Sequence, residues 1–157
     1  MVELGKDGAK GRAVPREIVV HGSAQGFAQE ISAGNHRLSA DEPQTVGGTD
    51  TGPTPYDLIA AALGACTSMT VALYARRKQW ALETVTVKLG HSRVHAADCA
   101  NCEAKDGLLD RIEVEVDLHG SLDEDQRQRL LQIANQCPVH KTLTSKIDIR
   151  TRLRGSQ

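Results

Sequence analysis

Aromatic side chains are nearly missing from this 157-residue chain, which carries one Phe, two Tyr and one Trp: Phe27, Tyr56, Tyr74 and Trp80. A core built from so few must be aliphatic and is expected to lean on a partner chain for burial, so homo-oligomerisation is the first expectation. An excess of charge of either sign is missing too. With 19 Lys plus Arg against 20 Asp plus Glu, the chain lacks the concentrated basic surface of a nucleic-acid binder, and nucleic acid is not an expected partner. No apolar run reaches the roughly 20 residues that cross a bilayer, so no membrane partner is expected. The N-terminal stretch lacks the cationic and then apolar layout of a secretory signal, which makes the cytoplasm the expected location. Four cysteines are too few for a disulfide scaffold, and in a reducing compartment they point to redox or metal chemistry.

What is present reads as one α+β domain over residues 1–157. Residues 1–14 are polar, without an apolar period, and read as a loose arm. Glu17 to His21, Phe27 to Ser32 and a short run around Leu38, with a Gly34-Asn35 turn between the last two, predict an N-terminal β-meander. Asp41 to Pro55 holds Pro43, Gly47, Gly48, Gly52, Pro53 and Pro55, too much turn chemistry for regular structure. It feeds a helix with Thr54 as N-cap, Pro55 at the first position and Asp57 three past the cap. That helix runs to about Lys78 and is apolar on nearly every side, as in a helix enclosed by a core. Thr84 to Leu89 and Arg111 to His119 alternate as two half-buried strands that pair, joined by a long link from Gly90 to Asp110. Ser121-Leu122-Asp123-Glu124 predicts a capping box opening a second helix that stops before Pro138, and Ile147, Ile149, Thr151 and Leu153 alternate as a closing strand.

The cysteines carry the chemistry. Cys66 lies in the middle of the apolar helix, beyond the terminal dipole, and taken alone reads as a buried, inert core thiol. Cys137 lies where one helix ends and Pro138 could start another. A helix C-terminus disfavours a thiolate and an N-terminus favours one, so both readings stay open. His91, His95, Cys99 and Cys102 form H-x3-H-x3-C-x2-C, whose residue types suit tetrahedral zinc but whose order is unlike the usual finger. Bound zinc, a redox-active pair and unbonded surface thiols are the three readings of that segment.

The stretch from Gly47 to Thr70, with Thr54-Pro55-Tyr56-Asp57 at the head of the helix and Ala65-Cys66-Thr67 within it, followed later by Cys137-Pro138-Val139-His140, resembles the OsmC/Ohr family of osmotically inducible and organic hydroperoxide resistance proteins. His95 to Cys102 resembles one OsmC-like branch of it, and the similarity spans roughly residues 16–153. The resemblance implies an intertwined α+β homodimer with the thiol pair at the subunit interface. It implies a thiol-dependent peroxidase in which Cys66 attacks an organic hydroperoxide, or hydrogen peroxide, and becomes a sulfenic acid that Cys137 resolves as a disulfide. No resident cofactor is then needed. An external dithiol reductant, a lipoylated protein or one of thioredoxin type, restores the thiols. The hydroperoxide branch activates its cysteine with an arginine from the N-terminal strands and a glutamate ten residues before the cysteine. Here Tyr56 holds the glutamate position with Asp57 beside it, and Arg37 and His140 are the candidate activating partners. Two other readings compete: the same fold as a ligand- or zinc-binding dimer with little peroxidase activity, and a redox sensor built on Cys99 and Cys102.

Overall fold

A computed structural model describes residues 17–95 and 107–155. The arm read over 1–14 and the Cys99 and Cys102 pair lie outside the described residues. The chain divides into two compact units, Met1–Pro55 and Tyr56–Gln157.

In the first unit β1 (Ile18–Gly22), β2 (Gln29–Ala33) and β3 (His36–Ala40) form an antiparallel meander in sequence order, as their alternation and turns predict. Ala33 pairs with His36, so Gly34 and Asn35 make a two-residue turn, with Gly34 in the left-handed region at φ 61°. Val20 pairs with Ile31 and Ile31 with Leu38, giving an apolar row across the sheet. Ile18, Val19, Val20 and Leu38 remain about half exposed within this chain. The loop after β3 is not wholly irregular, since Gln44–Val46 closes one 3-10 turn. Asp41 organises it. Its buried carboxylate accepts from the amides of Glu42 (2.8 Å), Thr49 (3.1 Å) and Thr51 (3.1 Å) and from the hydroxyls of Thr49 (2.6 Å) and Thr51 (2.9 Å). The Thr49 hydroxyl in the lead, the carboxyl is held well below the usual carboxylate range, although burial opposes that shift.

The second unit is built on α1 (Pro55–Lys78), with Asp57 in its first turn and Arg76, Arg77 and Lys78 in its last, each sign placed where the helix dipole favours it. The expectation of a helix enclosed on every side does not hold for this chain. Leu63, Gly64, Thr67, Val71 and Ala75 form one buried stripe, while Met69 (70% exposed), Ile59 and Leu73 face outward, because the chain supplies cover for one face only. Nor does the expectation about apolar runs survive. By length and composition α1 could cross a bilayer, with mean hydropathy 1.7 over an 18-residue window, because alanines, leucines and valines outweigh the Gly, Ser and Thr among them.

α1 packs on a ribbon of two long antiparallel strands, β4 (Ala81–His95) and β5 (Leu108–Ser121). The approach is closest at Gly64, where an added Cβ would stand 2.7 Å from Leu89 Cδ1. Both strands outrun the predicted ones, and the link between them is correspondingly shorter. α2 (Glu124–Ala134) follows. Its capping box uses Asp123, whose side chain accepts from the Gln126 amide (2.8 Å), with Gln126 Oε1 accepting from the Asp123 amide (3.1 Å). The predicted box opening at Ser121 is therefore displaced, since Ser121 is held in the ladder opposite Ala81. Val71, Ala75, Leu118, Leu130 and Ala134 close the core, with Leu130 and Val71 fully enclosed and Trp80, Leu82, Val85 and Val116 around them. A short helix α3 (Pro138–Leu143) replaces the expected turn. The expected closing strand does not form: beyond α3 the described chain has no regular structure, and Ile149 (81% exposed) and Leu153 (98% exposed) face outward. Alternation defines two faces, but a strand also needs a neighbour, and neither sheet of this chain supplies one there.

Candidate active site

The site is assembled by the α1 stripe and the start of α3. Cys66 sits on α1 one residue before Thr67, partly exposed, with its backbone carbonyl accepting from Thr70 Oγ1 (2.7 Å). Cys137 is fully enclosed and is the N-cap of α3, with extended backbone and Pro138 at the first helical position. Its Sγ takes the part that a Ser or Asp oxygen plays at other helix starts, accepting from the His140 amide at 3.2 Å. Thr67 Oγ1 donates to the same sulfur from α1 at 3.5 Å, and the Val139 amide and the Cys66 thiol lie near enough to favour its ionised form. Both cysteines are free thiols.

Two effects oppose each other at Cys137. Burial pushes the thiol up, and it is the largest single influence. The donors, Thr67 first, then His140, Cys66 and Val139, together outweigh it, so that Cys137 ionises below the ordinary thiol value. The choice left open by the sequence, C-terminus of one helix or N-terminus of the next, is settled in favour of the N-terminus. The expectation that Cys66 is buried does not hold for this chain, since that thiol is partly open.

The other expected residues are distributed differently. His140 reaches Cys137 through its amide. Asp57 occupies the first turn of α1, where a carboxylate complements the dipole. Arg37 belongs to the first unit, where its guanidinium donates to the carbonyls of Gly34 (3.4 Å) and His36 (3.5 Å) and so closes the β2–β3 turn. His91 lies on β4 with Nε2 2.9 Å from Asp110 Oδ1, and His95 ends that strand. Bonds first from His91 and then from Arg93 hold the Asp110 carboxyl below the usual range against burial. Among the described residues no group of three or more His, Cys, Asp or Glu side chains is placed to hold a metal.

Three residues with defined contacts had no role of their own in the sequence reading, Thr67 and Arg93 in the second unit and Asp41 in the first. Thr67 is the polar member of the buried stripe, and its position among Leu63, Val71 and Ala75 was the available signal. Asp41 carried only the signal of an acid ahead of several Thr and Gly residues. Arg93 donates to Asp110 (3.3 Å) and lies near Tyr56, whose ring stacks on His91 with centroids 4.5 Å apart. The position at which the resemblance implies a glutamate is thus held by a tyrosine stacked on a histidine.

The model of the family described as OsmC-like protein matches residues 48–152. No curated protein matches the sequence. Solved structures share the fold. An OsmC-like protein from Mycoplasma pneumoniae is 19% identical, with 83% of this chain and 88% of that one covered and a TM-score of 0.65. An organic hydroperoxide resistance protein OsmC from Legionella pneumophila is 21% identical over 87% and 93%, with a TM-score of 0.62. The organic hydroperoxide resistance protein OhrB of Bacillus subtilis is 21% identical over 86% and 94%, with a TM-score of 0.58.

Proposed function

The chain belongs to the OsmC-like protein family, and from that premise we propose that it is a thiol-dependent peroxidase that reduces organic hydroperoxides in the cytoplasm. The observation that carries the reading is a pair of free thiols, Cys66 and Cys137, far apart along the chain and brought together by α1 and α3, where Thr67, the residue after Cys66, donates to the Cys137 sulfur. Cys66 is the partly open member and meets the substrate. Its sulfur attacks the distal oxygen, the O–O bond breaks, an alcohol leaves and Cys66 becomes a sulfenic acid. Cys137, the enclosed member, attacks that sulfur, and a disulfide and water result. Two electrons from an external dithiol, lipoylated or of thioredoxin type, restore both thiols, so no resident cofactor is needed. The active species is a homodimer, which would cover Ile18, Val19, Val20, Met69 and Leu153, large apolar side chains at least half exposed in the single chain.

Purified protein is mixed with cumene hydroperoxide and a dithiol, and hydroperoxide loss is followed. Wild type consumes it over many turnovers and Cys66→Ser does not. Equal rates for the two proteins would end the peroxidase reading.

A further inference from the structure

The last turns of α1 carry a phenol that the thiol chemistry does not use. Tyr74 is half-buried and packs edge-on against Trp80 with ring centroids 5.7 Å apart, so its ring is held in one place. Its oxygen accepts from Arg129 Nε of α2 at 3.1 Å. Arg129 Cζ lies 5.6 Å from the ring centroid, and Lys78 Nζ, one helical turn beyond Tyr74 on α1, lies 5.9 Å from it. Two cations thus attend one phenol. Among the described residues neither has a carboxylate within ion-pair distance, so neither charge is neutralised elsewhere. A donor gains most from an ionised acceptor, and a neighbouring cation favours the charged form of an acid. The Arg129 hydrogen bond first, and then the charges of Arg129 and Lys78, hold the phenol below its ordinary value although burial opposes them. Tyr56, the other tyrosine of the chain, has a different setting. Its ring is stacked on His91 with centroids 4.5 Å apart, and the arginine near it, Arg93, has Asp110 as its ionic partner at 3.3 Å.

We propose that Tyr74 is a modification site for nitrating oxidants, selected over Tyr56 by the Arg129 donor on its oxygen and the Lys78 ammonium beside its ring. Nitration runs through the phenolate, whose ring carbon next to the oxygen-bearing one is richer in electrons than that of the neutral phenol. With tetranitromethane as the oxidant, that carbon forms a bond to a nitro nitrogen. The C–N bond of the reagent breaks and its electron pair leaves with trinitromethanide, while the displaced ring hydrogen departs as a proton. The phenolate oxygen regains its single bond to an aromatic ring, now nitrated. A nitrophenol is a stronger acid than the phenol it replaces, and the cations that favoured the first anion hold the second. Neither Cys66 nor Cys137 takes part, so the site stands whether or not the chain is a peroxidase.

The full chain is treated with excess tetranitromethane at neutral pH, and nitro groups are located by peptide mass at successive times. The reagent also oxidises thiols, which leaves the masses of the two tyrosine peptides readable. Tyr74 should be nitrated ahead of Tyr56. Arg129→Met keeps an unbranched side chain on the exposed face of α2 while removing the donor and the charge, and circular dichroism verifies the fold. Loss of one solvent-screened hydrogen bond to a charged acceptor should slow nitration of Tyr74 about fivefold at neutral pH and leave the rate at Tyr56 as it was. Toward pH of about 10, where phenols ionise unaided, the gap between wild type and variant should close. Nitration of Tyr56 ahead of Tyr74, an unchanged Tyr74 rate in Arg129→Met, or a gap that stays constant as pH rises would each overturn the assignment.

Discussion

Replacing Thr67 with valine tests the electrostatics of the site through protein stability, without any turnover. Thr67 is 2% exposed and its hydroxyl lies 3.5 Å from the enclosed Cys137 sulfur. Valine keeps the branched shape and deletes the donor. A hydrogen bond to an ionised acceptor contributes about 1.5–3 kcal/mol, and a large, soft sulfur at this distance belongs at the low end. A loss of that size lowers the thiolate-to-thiol ratio of Cys137 about tenfold at fixed pH. The sign in a stability measurement follows from linkage. Cys137 ionises in the folded protein below its unfolded value, so the thiolate's contribution is fully present above the unfolded value of about 8.5 and is lost as pH falls through the folded one. Thr67→Val should therefore lower the unfolding free energy by about 1.5 kcal/mol near pH 9, where the acceptor is charged. In mild acid, where both partners are neutral, the loss shrinks and the added methyl partly offsets it. Urea unfolding of both proteins at the two pH values supplies the comparison, and subtraction cancels groups that titrate alike in each. The same destabilisation at both pH values would show that Thr67 does not distinguish thiolate from thiol, and the account of Cys137 would be wrong.

Two more perturbations address the scaffold. Leu130→Ala empties the centre of the cluster formed with Val71, Ala75, Leu118 and Ala134 and should cost about 2–5 kcal/mol in urea unfolding. A loss below about 1 kcal/mol would mean that α2 is not anchored there. Asp41→Asn removes the charge that orients Thr49 and Thr51, so the melting temperature should fall at neutral pH. Because the carboxyl is held low in the folded state, its contribution is present above the unfolded value of about 4 and lost as pH falls through the folded one, so the gap between the two proteins narrows in strong acid. A gap independent of pH would rule the charge out as its source.

The meander, the span of α1 and the pairing of β4 with β5 were legible because each rests on a local period or a turn residue. What escaped depended on partners distant in sequence. The ends of the β4–β5 ribbon carry no apolar alternation; there His91 and Arg93 face Asp110 across the strands, and such polar pairs look like a loop when read along one strand. Ser121 satisfies the composition of a helix cap, yet the ladder claims it first, and the cap passes to Asp123. The alternation from Ile147 to Leu153 is a local pattern that forms no strand here, because neither sheet of the described chain offers it a neighbour.

The site shows the same division. That Cys66 and Cys137 belong together came from the resemblance, since nothing in the spacing of two lone cysteines brings them into contact. The character of Cys137 turns on the residue after it. Proline at the first position of α3 has no N–H to offer, so the first amides of the helix belong to Val139 and His140, and the second of these donates to the Cys137 sulfur. Cys-Pro-Val-His is in that sense a local device for aiming an amide donor at a buried sulfur. The donor from α1, Thr67, arrives only through tertiary packing, and so the surroundings of the Cys137 sulfur could not be read before α1 and α3 were seen together.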